Sequence, residues 1–353
     1  MRNRSGFILI TVLWVLAILA LLALSLNKGS ALELSLIRNS VGKTKSYAAA
    51  RAGISYVQSL LAKEITERDT LYQCGIKRLE RQTSEMIFKG IKVDNDTHFD
   101  ILFLGSSYGT ANNKSLLYGL EDEQGKINLN AIDGTNYKIL SALLQQFELN
   151  EKDADRIAAA VIDWHSDTTE VFSSPQGNIK GAKDDFYMSQ SLPYKCKKRP
   201  FDRIEELLLV RGVTKELFER IKPHVTVFPK YPPNGFKINF NTASNAVIMA
   251  VVQGASTGLA QEDVKAGLIR YRNGMDQIPG TADDAVNDQS MFSATQELYM
   301  NALRNNQGID QSEYFRVHAL GVDEASGVRS SITAVIYRPL SQEGLAIVEW
   351  NRE

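Results

Sequence analysis

The chain has 353 residues, of which 44% are hydrophobic and 23% charged, with 24 Gly and 9 Pro. This is a globular composition with room for about two domains, and it excludes a disordered tail, a collagen or a disulfide-dense scaffold. Lys and Arg number 40 against 41 Asp and Glu, so the net charge of −1 provides no global positive field for a polyanion. Two cysteines without a Cys-x-x-Cys pair, and four scattered histidines (His98, His165, His224, His318) without His-Glu-x-x-His spacing, give zinc chemistry no starting point.

Residues 7–26, FILITVLWVLAILALLALSL, carry no charge and only Thr11 and Ser25 as polar members. As a helix this run spans roughly 30 Å, the hydrocarbon thickness of a bilayer. Arg2 and Arg4 precede it and place the N-terminus in the cytoplasm, which leaves the chain after Lys28 facing the periplasm of an inner-membrane protein. A removable secretory signal shares the basic start. Its apolar core is shorter, however, at roughly 7–15 residues, and no Ala-x-Ala site follows here. Tyr47, Ala50, Ile54, Val57 and Leu61 recur at helical spacing, so one helix is expected to continue to about Arg68, with Gly29, Gly42 and Gly53 as points of bending.

After the helix, MIFKGIKVDND, HFDILFLG and SLLYGLEDE read as short strands and turns. Helical periodicity then dominates from 125 to 310, in residues 152–164, 201–210, 214–221, 242–252 and 261–272, with Asp202, Thr214 and Thr242 as expected N-caps. YFRVHALGV and VRSSITAVIYRP near the end read as an antiparallel hairpin. The expected fold class is therefore α+β: a helix-plus-antiparallel-sheet domain with a large helical domain inserted in its sheet. Cys74 and Cys196 are the only two thiols. In the periplasm either they join, closing a loop at a gain of at most roughly 4–5 kcal/mol, or they stay free.

Several stretches carry candidate chemistry. The loop GMDQIPGTADDAVND (274–288) gathers Asp276, Asp283, Asp284 and Asp288 around a Pro-Gly turn. Hard cations take carboxylate and carbonyl oxygens from such loops, so this one is either a calcium site, with the backbone of Ile278 and Thr281 completing the set, or an ordinary acidic turn without metal. A second acidic region, Asp163, Asp167, Glu170, Asp184 and Asp185, lies in a long polar segment and is either a further calcium site or a solvated loop. Gly105 to Gly109 matches Gly-x-Ser-x-Gly around Ser107, but a nucleophile elbow needs a helix after it, and the residues that follow read as turn and strand. No P-loop or Cys–His arrangement is present, so no enzyme is expected.

Residues 201–221 resemble a helix-hairpin-helix and INFNTAS resembles the start of DNA-uptake receptor repeats, which together suggest a membrane-anchored DNA-binding protein as the alternative. Phosphate-binding hairpins expose amides at a Gly-x-Gly turn, whereas the turn here is Arg211-Gly212-Val213. Residues 203–310 hold 11 Lys and Arg against 12 Asp and Glu, and the only dense basic run is Lys195, Lys197, Lys198 and Arg199.

MRNRSG followed by FILITVLWVLAIL resembles a type IV prepilin leader. The resemblance implies cleavage between Gly6 and Phe7 by a prepilin peptidase and methylation of Phe7. Pilins of this class usually carry Glu at the fifth mature position, where this chain has Thr11. With DEQGKINLNA (122–131), AAVIDWHSD (159–167), RPFDRIEELLLVRGVT (199–214) and INFNTAS (238–244), the chain is identified as similar to the general secretion pathway protein K family of type II secretion minor pseudopilins.

That resemblance implies a leader at 1–6, a transmembrane helix at 7–26, a pilin-like helix and first strands over 27–124, an inserted helical domain at 125–310, closing strands at 311–340 and a tail at 341–353. It further implies a structural role in protein secretion at the tip of a periplasmic pseudopilus, calcium binding, and partnership with other minor pseudopilins and an inner-membrane assembly platform, with no nucleic acid.

Overall fold

The computed structural model describes residues 5–63, 65–78, 82–103, 117–255, 261–286, 294–341 and 344–352. The first element is a single helix, α1 (Ser5–Leu61), whose 57 residues extend roughly 85 Å. It stops short of Arg68 and is unbroken at its glycines. Gly42 and Gly53 serve contact instead of bending: a Cβ at Gly53 would stand 3.0 Å from Phe99 and 3.2 Å from Ala319 and Ile101. The apolar face read from the sequence is the packed one, with Ala50, Ile54, Val57 and Leu61 buried. Each large member contributes about 1.5–3 kcal/mol by leaving water.

Helix α2 (Ser84–Phe88) replaces the strand expected at Met86, because Thr83 caps it by accepting from the Met86 amide at 3.4 Å. Strands β1 (Ile91–Lys92), β2 (Thr97–Leu102) and β3 (Glu121–Asp122) follow, then β4 (Ile127–Asn128). Helices α3 (Tyr137–Gln145), α4 (Glu151–His165), α5 (Asp184–Met188) and α6 (Lys215–Ile221) lead to β5 (Val225–Thr226), a short parallel partner of β4. Helices α7 (Asn245–Ala255), α8 (Gln261–Arg272) and α9 (Ala294–Gln307) complete this part. The long strands β6 (Tyr314–Asp323), β7 (Val328–Tyr337) and β8 (Ala346–Arg352) then return to the sheet, in the order β1-β2-β6-β7-β8 with β3 also paired to β6. The segment expected as a tail at 341–353 thus supplies the edge strand β8.

Local chemistry decides the helix ends. Asn150 caps α4 by accepting from Asp153 at 3.0 Å, and Thr214 caps α6 by accepting from Leu217 at 3.2 Å. Thr242 is not the cap of α7. Ser244 takes that place, with the Val247 amide 3.3 Å from its hydroxyl, while Thr242 turns to Asp122. Asp202 is not a cap either: residues 204–209 form a 3-10 turn, started at Arg203 and closed by Glu206, which accepts from the Asp202 and Arg203 amides.

Two hydrophobic clusters form among the described residues. One joins α1 to the sheet through Phe99, Ile101, Phe315, Val317, Ile332 and Ile336. The other gathers the helices between β3 and β6 around Leu129, Ile139, Leu143, Trp164, Ile248 and Leu268.

Candidate functional site

Of the stretches that carry the family resemblance, 122–131 and 238–244 meet at the joint between these clusters, while 159–167 and 199–214 pack near residues 130–132 within the helical cluster. Asp122, the last residue of β3, turns one carboxylate oxygen, Oδ2, toward three donors: Thr242 Oγ1 at 2.6 Å, Ser312 Oγ at 2.6 Å and Asn239 Nδ2 at 3.0 Å. Asn130 accepts from the Phe201 amide at 2.7 Å and donates back to the Phe201 carbonyl at 3.1 Å, and His165 stands 3.0 Å from the Ile132 carbonyl.

Beneath this lies Asp69, which accepts from Thr66 Oγ1 at 2.6 Å and from the amides of Gly75 (2.8 Å) and Ser312 (2.7 Å), with Arg338 Nη2 at 3.6 Å. Burial raises both acids; Asp122 reaches about 6, pushed further by the Asp69 charge.

Alongside, Glu123 is fully buried and receives Arg316 Nε at 2.5 Å, Lys126 Nζ at 3.0 Å and the Thr226 hydroxyl. Its burial alone would raise it, but the Arg316 and Lys126 charges outweigh that and hold it at about 2. Glu121 is held low in the same way: Lys126 at 3.2 Å and His318 Nε2 at 3.4 Å overcome its burial. These carboxylates hold two bodies together through cations and amides. Their chemistry is that of a rigid coupling, built from residues that no local pattern pairs.

The acidic loop lies after α8. Asp283 Oδ2 accepts from the amides of Met275 (2.6 Å) and Asp276 (3.1 Å), its Oδ1 meets Thr281 Oγ1 at 2.8 Å, and Asp276 Oδ1 accepts from the Ile278 amide at 2.8 Å. Asp284 is buried. Its Oδ2 accepts from the Gly280 amide at 2.7 Å, its Oδ1 has no hydrogen-bond partner, and burial raises it to about 7. That orphaned oxygen is a desolvated acceptor of the kind hard cations take up. Asp288 lies outside the described residues, among which no three acidic, His or Cys groups approach closely enough to hold a metal.

In the second acidic region Asp163 is buried 3.7 Å from Lys183 Nζ and accepts from the Phe172 amide at 3.0 Å. Asp184 accepts from the Cys196 amide and pairs with Lys198 at 2.5 Å. Asp167, Glu170 and Asp185 are exposed. Lysines thus already face the two anchored carboxylates.

Cys74 and Cys196 are both buried and free. The staple between them does not form, because Cys74 packs in the α1–sheet cluster and Cys196 among the helices. Gly212 takes the positive φ of +87° that the hairpin turn needs, but the turn packs on Ile157 of α4, and the Arg211 amide donates to Tyr187 Oη at 3.3 Å. Lys197 is spent on Asp202 and Glu206, both at 2.7 Å. The Gly-x-Ser-x-Gly match around Ser107 lies outside the described residues, as do leader residues 1–4.

Gly6 and Phe7 lie in the first turns of α1. Large apolar side chains over residues 7–22 are 50–73% exposed, while the Thr11 hydroxyl donates back to the carbonyls of Ile8 at 2.9 Å and Phe7 at 3.2 Å. The apolar stretch whose side chains are described ends at residue 23, roughly 25 Å from its start. No helix is long and apolar enough to cross a membrane among the described residues.

A family model described as type II secretion system (T2SS), protein K, matches residues 125–230. Type II secretion system protein K of Aeromonas hydrophila is 23% identical over 256 residues, spanning 68% of each chain. Its counterpart from Pectobacterium carotovorum subsp. carotovorum is 31% identical over 121 residues, about a third of each chain. Among solved structures, the GspK-GspI-GspJ complex from the enterotoxigenic Escherichia coli type 2 secretion system contains a chain of similar fold, with a TM-score of 0.54 at 16% identity, covering 93% of this chain and 98% of that one.

Proposed function

The chain belongs to the protein K family of the type II secretion system, a minor pseudopilin, and on that premise we propose that it occupies the tip of the pseudopilus, helping to start its assembly and the export of folded proteins across the outer membrane. The observation that carries this reading is the closed Thr11 hydroxyl: bonded to its own helix, it offers no charge to the amine of a subunit ahead, whereas the N-terminal amine freed at Phe7 remains available to one behind. The bulk of the helices between β3 and β6, hung on one sheet, is also easier to place at a fibre end than between packed neighbours.

In this reading residues 1–6 are removed by the prepilin peptidase, Phe7 is methylated, and residues 7–26 anchor the pilin-like stem once in the inner membrane, with the rest periplasmic and docked on the assembly platform. By analogy with the solved complex, its partners are two other minor pseudopilins. Calcium belongs in the loop of Asp276, Ile278, Thr281, Asp283, Asp284 and Asp288, where it would neutralise the orphaned Asp284 oxygen and order the loop. No enzymatic step is assigned, and nothing favours the DNA-binding alternative.

The test is position. Labelled full-length copies in assembled pseudopili are expected at one end only, and Thr11→Glu should let copies enter the shaft. Wild-type label spaced along the shaft, with further copies above it, would overturn the tip assignment.

A further inference from the structure

Away from the joint, the first turns of α3 and α4 and the turn at 174–177 enclose a groove of about 460 Å³. Lys138 of α3 and Glu151, Lys152 and Asp155 of α4 line it, and Gln176 and Asn178 line it from the turn. Glu151 and Asp155 stand one helical turn apart on one face of α4, and Lys138 Nζ donates to both, at 3.0 and 2.8 Å. That pairing uses only the Oδ2 of Asp155. The residue is 5% exposed, and its Oδ1 has no hydrogen-bond partner among the described residues. A buried acceptor without a donor is unfavourable, so one that lines a groove marks where a donor from outside would be taken up. The opposite rim is braced: the Gly177 amide donates to the Ser174 carbonyl at 2.8 Å, and Ser174 Oγ accepts from the Ile179 amide at 3.2 Å while donating to Asn178 Oδ1 at 2.9 Å. The amide donors of Asn178 and the exposed Gln176 side chain are left for the groove.

We propose that this groove binds a neutral glycan, through the hydroxyls of about one or two sugar rings; the proposal does not depend on the pseudopilin reading above. Its volume is that of a small-molecule pocket, roughly 300–1,000 Å³, but such pockets are mostly apolar, and the polar lining here excludes an apolar ligand. Charge excludes a simple ion. Lys138 and Lys152 balance Glu151 and Asp155, so the groove as a whole selects neither an anion nor a cation. What it offers is acceptors beside donors: carboxylates only accept, ammonium groups only donate, and side-chain amides do both. A sugar hydroxyl also does both, so neighbouring hydroxyls of one ring can donate to Asp155 Oδ1 and accept from the third donor of Lys138 together. Buried Tyr137 and Ile179 close the groove behind these groups. Because the braced turn and the Lys138 pairing hold the polar groups in place beforehand, little order has to be gained on binding.

The test titrates the full-length chain, in a detergent without a sugar headgroup, with diacetylchitobiose, with maltotriose and, as a cationic control, with a lysine-containing tripeptide. Calorimetry is expected to show binding of at least one sugar with a dissociation constant of about 1 mM or tighter. Binding of diacetylchitobiose alone supports the proposal with an amino-sugar polymer as the source, and binding of maltotriose alone supports it with an unacetylated glycan. Asp155→Asn should weaken the sugar at least about tenfold. Because that change also alters the Lys138 pairing, Gln176→Ala with Lys152→Ala, both at exposed positions, provides the second measure: sugar binding at least about fivefold weaker, with an unchanged melting temperature. No heat from either sugar at about 10 mM, binding of the lysine peptide only, or undiminished sugar affinity in both variants overturns the proposal.

Discussion

Arg316 stands where the sheet meets the helices, its guanidinium shared between Glu123 and Glu349. Truncating one member of a buried ion pair leaves a desolvated charge behind, so Arg316→Ala should cost about 3–5 kcal/mol in chemical denaturation, whereas an Arg exchanged on the solvent face should cost well under 1. Protons act in the opposite direction a few ångströms away. Asp122 and Asp284, raised to about 6 and 7, favour folding when protonated; that contribution is full below about pH 4 and is lost as pH rises through 6–7. Glu123, lowered to about 2, stabilises above its ordinary value of 4.5 and loses this as pH falls toward 2. Melting temperature in chelator should therefore rise from pH 8 to 5 and fall again below 4, and Asp122→Asn should flatten the rise. None of this pairing was legible in the sequence. DEQGKINLNA stood out by resemblance, but the partners of Asp122 lie 117 to 190 residues away, and no local pattern announces them.

Among the elements, α1 and β6 approach each other closely at Gly321. A Cβ on Gly321 would fall inside the radius of the Ser46 carbonyl oxygen, so Gly321→Ala must push helix and strand apart. Overpacking of this kind costs about 1–3 kcal/mol, and thermal unfolding of the variant should show it together with weakened protection of the Ser46 to Ala50 amides from exchange. Long amphipathic elements were readable: the expected bounds of α8 match the observed ones, α4 differs by one residue at each end, and the β6–β7 hairpin lies where alternation placed it. Short apolar runs were not, because Met86, Ile87 and Phe88 suit a strand or a helix equally, and only the Thr83 cap decides. Strand β8 escaped notice because Ile347 and Val348 break the alternation at the register shift opposite Val335 and Ile336.

Across the whole molecule, the acidic loop is the feature that an external ion would change. If calcium joins the orphaned Asp284 oxygen, millimolar calcium should raise the melting temperature of the full chain by several degrees relative to chelator, by mass action on the folded state. Asp283→Asn with Asp284→Asn should abolish the difference, and an equal shift in that variant would place the ion elsewhere. The composition of the loop was visible in the sequence; its geometry was not, since Asp284 is turned inward by the Gly280 amide.

The division of the sheet also sets an order in time. Thr97 pairs with Asp323, and every residue of the intervening helices must leave the ribosome, and by our reading cross the membrane, before that register can form. Until β6 arrives, α1 has no floor and its apolar face has no shelter. A chain interrupted anywhere in the helices would leave a naked stem, open to holdases and proteases. Only a completed molecule would be fit to cap anything.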